Sequence, residues 1–403
     1  MALGIAGLFV GARLIAQHGD PSRFVVAGQA FVDRTRASDD LHVRPGDGYD
    51  GQFQYRLALD PLDLGTDAHG IRLDAPFRRQ RIGYSAVAWL VSGGGQRSLV
   101  PEALIAVNVM GIGVIALLGG LVAREGGRSP LWGLLPAGYW GFVMTVARDL
   151  TEVTAGAAVL AGLVLYRRRR FVWAGTVLAL GALTRESTMI VVAAIGLVWL
   201  VSRLKRLRAP GGPPAAPPAA ADDAATLPSA DDATTSPSAG PGEPWAAALA
   251  WALPTLAFLA WQLRALAAGP LPLTSSGGNN LAIPFSAMAP YALSWVEGVT
   301  RPRLAIRLAE LLALAGFAVM ALRSLRRSQA RSHEKLAWLL TLVLAVCLSD
   351  AVYVDPADFR HLGESFVLGS VVLLGDPTAA LGKVAAATGV LWTVVAGFRV
   401  FVL

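Results

Sequence analysis

Apolar stretches of about 12–23 residues alternate with short charged blocks along most of the chain. A helix needs about 20 apolar residues to cross the hydrocarbon core of a bilayer, and it satisfies its backbone hydrogen bonds internally. The pattern therefore predicts an all-α membrane protein, a polytopic bundle of about eleven transmembrane helices. The predicted crossings are 3–16, 101–123, 130–146, 153–166, 172–183, 188–201, 245–266, 304–322, 336–348, 362–374 and 384–402.

Two stretches are polar and lie outside the predicted bundle. Residues 18–80 are rich in Asp, Arg and Gly, and residues 210–244 consist mainly of Pro, Ala, Ser, Asp and Gly. The second stretch has too few large apolar side chains to offset its ordering entropy, which predicts a disordered linker. We therefore expect a transmembrane module at 1–208 with a large outer loop at 18–100, a cytoplasmic linker at 209–244, and a second module at 245–403.

The composition supports a membrane location and excludes several other classes. Hydrophobic residues make up 54% of the chain and charged residues only 16%, whereas a soluble domain has about a quarter charged residues. The net charge of +7 lies mostly beside apolar runs, so the positive-inside rule explains it better than a nucleic-acid partner does. Cys347 is the single cysteine, which excludes an intrachain disulfide and a thiolate metal cluster. The first apolar run lacks a basic leading region, which favours a retained helix over a signal peptide.

The segment 82–92 decides the predicted orientation. If it crossed the membrane and the N-terminus were in the cytoplasm, the basic blocks at 167–170, 203–208 and 323–335 would face outward, against the positive-inside rule. At 11 residues it is also too short to span, so we predict a re-entrant or interfacial helix. The polar loops that carry the candidate chemistry then share the outer side of the membrane: 18–100, 148–152, 184–187, 268–303 and 350–361.

The most distinctive local motif runs from Tyr49 to Arg56 in the first outer loop. Asp50 is the candidate catalytic carboxylate, because it could act as a general base toward a sugar hydroxyl or bind a hard divalent cation. Gln52 and Arg56 offer donors to a sugar. The alternative is that Asp50 and Gly51 only form a turn.

Three arginines follow just before the short helix, at positions 78, 79 and 81. Arg78, Arg79 and Arg81 could bind a phosphate through paired guanidinium hydrogen bonds. Anchoring at lipid headgroups is an equally good explanation.

Two further motifs place ionisable groups near the outer ends of predicted crossings. Asp149 and Glu152 would share a face if the segment is helical, and they are candidates for substrate binding or for an acidic first helical turn. Arg185 and Glu186 follow a short apolar run, so they are expected inside the bundle, as substrate ligands or as an internal ion pair.

The last outer cluster, 350–361, ends in Arg360 and His361 at the start of a predicted crossing. Arg360 is placed to bind a lipid phosphate, and His361 is a candidate proton carrier or a structural residue. Motifs for nucleotide phosphate binding, zinc-protease chemistry and a serine nucleophile elbow are absent from the sequence.

The order of these features resembles the C-type superfamily of membrane glycosyltransferases (GT-C), in which one helix precedes a large outer loop with an Asp and a partly inserted helix. More closely, the first half resembles the bacterial family of cell-surface glycopolymer formation proteins, through GYDGQFQYRLALDP, RRQRIGYSAVAWL, ARDLTEV and ALTRES. The resemblance covers about residues 3–201 and extends to the C-terminal half only in layout. It implies that Asp50 is the first-loop catalytic carboxylate, and that Asp149 and Glu152 match the second-loop acidic position. The first loop has Asp-Gly where better-known members have Asp-Glu, and the second loop lacks Asp-x-Asp, so metal dependence stays open.

The resemblance implies a GT-C-like fold and a glycosyltransferase of a bacterial cytoplasmic membrane, with its active site facing outward. The expected partners are the lipid bilayer, a polyprenyl-phosphate-linked sugar and a glycan or glycopolymer acceptor, with no nucleic acid. No cofactor is predicted with certainty, no metal ligand is assigned, and a divalent cation stays a candidate. Two alternatives remain open, which are a transporter or flippase of lipid-linked sugars and a non-catalytic membrane protein of envelope assembly.

Overall fold

The computed structural model describes residues 1–208, 244–270, 281–354 and 357–401, and these residues are largely helical. The predicted linker lies outside them, except for Pro244. The first half contains α1 (Ala2–Ala16), α2 (Gly51–Leu59), α3 (Gly83–Val91), α4 (Val100–Glu125), α5 (Leu134–Ala137), α6 (Gly141–Ala147), α7 (Glu152–Arg167), α8 (Phe171–Thr184) and α9 (Thr188–Arg208). The second half contains α10 (Leu249–Leu266), α11 (Met288–Glu297), α12 (Pro302–Ser324), α13 (Ser332–Val346), α14 (Asp350–Val354), α15 (Gly363–Leu374) and α16 (Leu381–Phe401).

Short irregular elements connect these helices. The 3₁₀ helices are Pro21–Phe24, Pro76–Gln80, Pro130–Gly133, Trp245–Ala248 and Ala357–Leu362. In the first outer loop, strand β1 (Ala27–Gly28) pairs in parallel with β2 (Val43–Arg44), and β3 (Asp67–Ala68) pairs antiparallel with β4 (Ile71–Arg72). The outer loop is thus folded rather than extended.

Five helical segments in the described part of the chain are long and apolar enough to cross a membrane: Val100–Glu125, Thr188–Arg208, Trp245–Leu266, Pro302–Ser324 and Leu381–Phe401. The helices at five other predicted crossings, α1, α7, α8, α13 and α15, have 12 to 16 residues. The membrane character is therefore supported, whereas the predicted number of about eleven crossings is not confirmed.

One predicted crossing, 130–146, is not a single helix. It is divided into a 3₁₀ helix, the four-residue α5 and the seven-residue α6. Pro136 has no backbone N–H to donate, and α5 ends one residue later, before Gly138. The apolar composition of this stretch serves burial inside the bundle, since Trp140 and Phe142 are almost fully buried.

The two halves of the chain pack directly against one another. Helix α10 lies beside α8 and α9, α13 beside α9, and α15 between α7, α12 and α13. A separate small core beneath the first outer loop contains Phe53, Tyr84 and Leu104. The Tyr84 hydroxyl donates to the Leu104 carbonyl at 2.8 Å, which ties the short helix α3 to α4. This packing brings the folded outer loop against the ends of α7, α8 and α15.

Candidate functional site

A cavity of about 640 Å³ lies where the outer loop meets the ends of the bundle helices. One part of its wall is ionisable and the other part is apolar. The ionisable lining combines residues from both halves of the chain, namely Asp50, Arg78, Arg81, Arg185, Glu186, Arg360, His361 and Glu364. Four of the five predicted outer motifs therefore contribute to one cavity.

Asp50 immediately precedes α2, and Gly51 determines how closely that helix approaches its neighbours. A Cβ atom at Gly51 would lie 2.4 Å from the Arg148 carbonyl oxygen and 2.7 Å from that of Val25, so only glycine fits. The Asp50 side chain forms no hydrogen bond that caps α2. The turn interpretation thus explains the glycine but leaves the carboxylate unexplained.

The Asp50 carboxylate bridges two arginines that are far apart in sequence. Its Oδ1 lies 2.9 Å from Arg78 Nη2, and its Oδ2 accepts a hydrogen bond from Arg360 Nη2 at 3.0 Å. Burial alone would raise the pKa of Asp50, but the positive charges of Arg78 and Arg360 outweigh it and hold the pKa well below its ordinary value. In this arrangement Asp50 is ionised and weakly basic.

Each of these arginines also has a second carboxylate partner. Arg78 donates from Nε and Nη2 to the two oxygens of Asp74, at 2.8 and 2.9 Å. Arg360 donates from Nη1 to Glu152 Oε1. Asp74 and Glu152 do not line the cavity, so they support the arginines from behind while Asp50 faces the space in front.

Glu152 and Arg185 connect the start of α7 to the loop between α8 and α9. The Glu152 side chain is 2% exposed, and its Oε1 lies 2.7 Å from Arg185 Nη1. Glu186 instead pairs with Arg81, whose Nε donates to Glu186 Oε2 at 3.0 Å. Arg185 and Glu186 therefore do not form the internal pair that was one prediction for them, because each is paired with a distant segment of the chain.

The four cavity arginines are thus all engaged by carboxylates. Arg78 and Arg360 share Asp50, Arg81 contacts Glu186, and Arg185 contacts Glu152. An anionic ligand that uses the same N–H donors must displace the carboxylate that now accepts from them. The structure places a carboxylate counter-ion at every one of them.

The backbone before Arg360 is strained and firmly held. Asp358 and Phe359 have φ values of 56° and 54°, in the left-handed region that non-glycine residues rarely adopt. The Tyr139 hydroxyl donates to the Phe359 carbonyl, and Arg399 Nε donates to an Asp358 oxygen at 2.8 Å. These contacts fix the direction in which the chain presents Arg360 to the cavity.

His361 follows Arg360 and lines the same cavity. Burial, together with the positive charges of Arg360 and Arg185, holds the pKa of His361 well below its ordinary value. The imidazole is therefore neutral at physiological pH, and it can donate one hydrogen bond and accept another without adding charge.

Three predicted ligands, Gln52, Arg56 and Arg79, lie outside the cavity and stabilise the outer loop. The Gln52 amide accepts from the backbone N–H of Gly28 at 3.0 Å and donates to a carbonyl oxygen at 2.9 Å. Arg56 donates to the Gly65 carbonyl at 2.5 Å, and Arg79 donates to a threonine hydroxyl at 3.0 Å. Their side chains therefore stabilise the loop in this structure and do not face the cavity.

Asp149 also lies outside the cavity, and it is not part of a helix. Its φ of 49° precedes α7, so Asp149 and Glu152 do not share a helix face. The Asp149 side chain is fully buried, and neither of its carboxylate oxygens has a hydrogen-bond donor. Burial raises the pKa of Asp149 well above its ordinary value, while the charge of Arg13 opposes that rise. Asp149 is best described as an interior residue next to the site.

Glu364 is a cavity carboxylate that the sequence reasoning missed. It lies in the first turn of α15 and lines the cavity, and its Oε1 accepts a hydrogen bond from the Thr188 hydroxyl at 2.7 Å. Unlike Asp50 and Glu186, it has no arginine within salt-bridge distance among the described residues. Its isolation within an otherwise apolar run was a usable signal, because ionisable groups in such runs commonly face a cavity.

The geometry does not favour a divalent cation at Asp50, because both carboxylate oxygens already contact arginines. Among the described residues, no group of three or more His, Cys, Asp or Glu side chains is arranged to hold a metal ion. Comparisons of the chain with protein-family models, with curated proteins and with solved structures give no match.

Proposed function

We propose that this chain is a membrane glycosyltransferase of the GT-C type. It transfers a sugar from a polyprenyl-phosphate donor to a cell-envelope glycan or glycopolymer on the outer face of a bacterial cytoplasmic membrane. The observation that carries the proposal is the single cavity in which arginines and carboxylates lie beside an apolar wall. A lipid-linked sugar phosphate likewise combines a polar, charged sugar phosphate with an apolar chain.

The apolar wall comes from helices α9 and α13 and from the segments next to α13 and α15. It includes Ile190 of the membrane-spanning α9, together with Leu344 of α13, Leu348 and Leu362. An isoprenoid chain would lie against this wall with its phosphate toward the arginines, because guanidinium groups match phosphate oxygens with paired hydrogen bonds. A purely polar substrate would leave these side chains without a role in binding.

The proposed reaction is a displacement at the anomeric carbon of the donor sugar. The acceptor hydroxyl oxygen forms a bond to that carbon, while the bond from the carbon to the phosphate oxygen breaks. The electron pair of the broken bond goes to the phosphate, where the cavity arginines stabilise the developing charge. The hydroxyl proton goes to the Asp50 carboxylate, and the products are the extended glycan and polyprenyl phosphate.

Asp50→Asn tests this proposal because the substitution retains the shape of the side chain and removes its charge and basicity. We expect transfer to fall by about 10²-fold or more at an unchanged protein level. The assay measures transfer from radiolabelled polyprenyl-phosphate pentoses and hexoses to endogenous glycan in membranes. Asp39→Asn is the matched control, because it replaces an exposed carboxylate of the same outer loop by an amide, and it should retain full activity.

The competing hypothesis is a flippase, which would use the same cavity without breaking a bond. It predicts movement of the labelled donor across the membrane of reconstituted vesicles with no glycan product. Near-equal transfer by wild type and Asp50→Asn would exclude Asp50 from the mechanism. Donor movement without transfer in the wild type would replace the glycosyltransferase proposal with the flippase.

A further inference from the structure

Arg78 and Arg360 each hold one carboxylate on the cavity side and another behind. On the cavity side, both contact the single carboxylate of Asp50, one through each oxygen. Behind it, Asp74 contacts Arg78 and Glu152 contacts Arg360. If Asp50 moves away, each arginine therefore keeps one counter-ion and one orientation.

Asp50 is the carboxylate of this cluster that lines the cavity, so a ligand there meets it before Asp74 or Glu152. Its side chain is 24% exposed, whereas those of Arg78 and Arg360 are 9% and 7% exposed. It forms no helix-capping hydrogen bond, and within the described part of the chain the ion-pair partners of its carboxylate are these two arginines. The Arg360 guanidinium also lies 5.5 Å from the ring of Tyr49, a contact that does not depend on Asp50.

We propose that the donor phosphate displaces Asp50 from Arg78 and Arg360, so that donor binding itself releases the catalytic base. This inference rests on the proposed function and specifies how the site is switched on. The phosphate oxygens accept hydrogen bonds from the same two Nη2 atoms that now contact Asp50. One anion replaces another, so the charge balance around the arginines is preserved.

This exchange of Asp50 for the donor phosphate at the two arginines explains how a residue paired with two cations can act as a base. Released from the arginines, Asp50 regains proton affinity, because the nearby positive charges that favour its ionised form are then neutralised by the phosphate. The acceptor hydroxyl can lose its proton to Asp50 only after the donor is bound. In the empty site Asp50 is therefore held ionised and weakly basic by the two arginines.

The exchange makes a counterintuitive prediction for binding. Because Asp50 competes with the phosphate for the arginines, Asp50→Asn should bind a lipid phosphate about tenfold more tightly than wild type does. The same variant should transfer sugar poorly. The probe is farnesyl phosphate, which carries no sugar and cannot react by transfer. Its dissociation constant is measured by calorimetry on the purified full-length chain in detergent.

Asp74→Asn is the matched control, because it removes the same charge from the opposite side of the same arginine. The exchange predicts that Asp74→Asn binds within about threefold of wild type. Farnesol, which lacks the phosphate, should bind wild type and all variants with the same dissociation constant. Asp50→Ala removes the competing carboxylate in a second way and should tighten farnesyl phosphate binding as well.

The outcomes separate this inference from the function on which it rests. Tighter binding by both Asp50 variants, with Asp74→Asn near wild type, supports the exchange. Unchanged or weaker binding by both Asp50 variants overturns it, as does equal tightening by Asp74→Asn, which would reflect a general loss of negative charge. A wild type that binds neither farnesyl phosphate nor inorganic phosphate would reject the lipid-phosphate donor itself.

Discussion

Replacing Glu152 by Gln tests whether the buried network holds the site together. Glu152 has a side chain that is 2% exposed and contacts both Arg185 and Arg360. Gln has nearly the same shape but no charge. The substitution leaves Arg185 without its carboxylate partner, whereas Arg360 keeps Asp50. Removal of one partner from a buried ion pair typically costs about 3–5 kcal/mol, because an uncompensated buried charge remains.

We therefore expect Glu152→Gln to lower the free energy of unfolding by about 3–5 kcal/mol. The measurement is an equilibrium unfolding titration in mixed micelles of detergent and SDS, followed by tryptophan fluorescence. Glu125→Gln is the matched control, since it removes an equally short contact to Arg167 at 2.6 Å from a side chain that is 43% exposed. Arg167 keeps Glu334 as a partner, and the expected loss is at most about 1 kcal/mol.

A double-mutant cycle extends the test. Arg185→Gln alone and Glu152→Gln alone should each be costly, and the double variant should cost less than their sum, because it removes both charges of the pair. If Glu152→Gln costs no more than Glu125→Gln, burial does not control the energy of this network. Strict additivity of Glu152→Gln and Arg185→Gln would show that the contact between them is not energetically significant.

Two further predictions follow from the outer loops. Burial alone would raise the pKa of Glu186, but Arg81 outweighs it and lowers the pKa from 4.5 to about 2. The ionised Glu186 therefore stabilises the folded state fully above pH 4.5, and this contribution is lost as the pH falls toward 2. The unfolding midpoint of Glu186→Gln should consequently change less with pH over this range than that of wild type. Equal changes in the two midpoints would contradict this prediction. For the orientation, a Cys347→Ser background carrying Asp67→Cys should react with a membrane-impermeant maleimide in intact cells, whereas one carrying Ser229→Cys should not; labelling of Ser229→Cys from outside would reverse the scheme.

The sequence predicts much of the local architecture, because the hydrophobic pattern and the length of each apolar segment depend only on residues close together in the chain. The segment 82–92 was predicted as a short helix that does not span, and the structure forms the nine-residue α3 there. The segment 130–146 shows where this reasoning fails. Apolar composition predicted a crossing, but a buried and broken segment needs apolar side chains just as much as a membrane helix does.

The candidate site was predictable in its membership but not in its pairings. The Asp-Gly motif of the first loop indicates Asp50, and the capacity to bind a phosphate indicates Arg81 and Arg360. Glu186 is indicated because charges beside apolar runs are costly and commonly face a cavity. Their partners lie as far apart as 310 residues, the separation between Asp50 and Arg360, and a single sequence carries no local signal for such a contact. Arg56 was misplaced for the opposite reason, because its proximity to Asp50 in the chain suggested a shared site that the helical geometry of α2 does not provide.

The pairing of every cavity arginine links stability to function. Guanidinium groups near hydrocarbon need counter-ions to be tolerated there, and Asp50, Glu152 and Glu186 provide them within the chain. Under the proposed function a donor phosphate would provide the same charge, so that the empty site and the occupied site would satisfy the arginines with different anions. At Arg78 and Arg360 the anion of the empty site is Asp50, which under the proposed function also takes the proton of the acceptor.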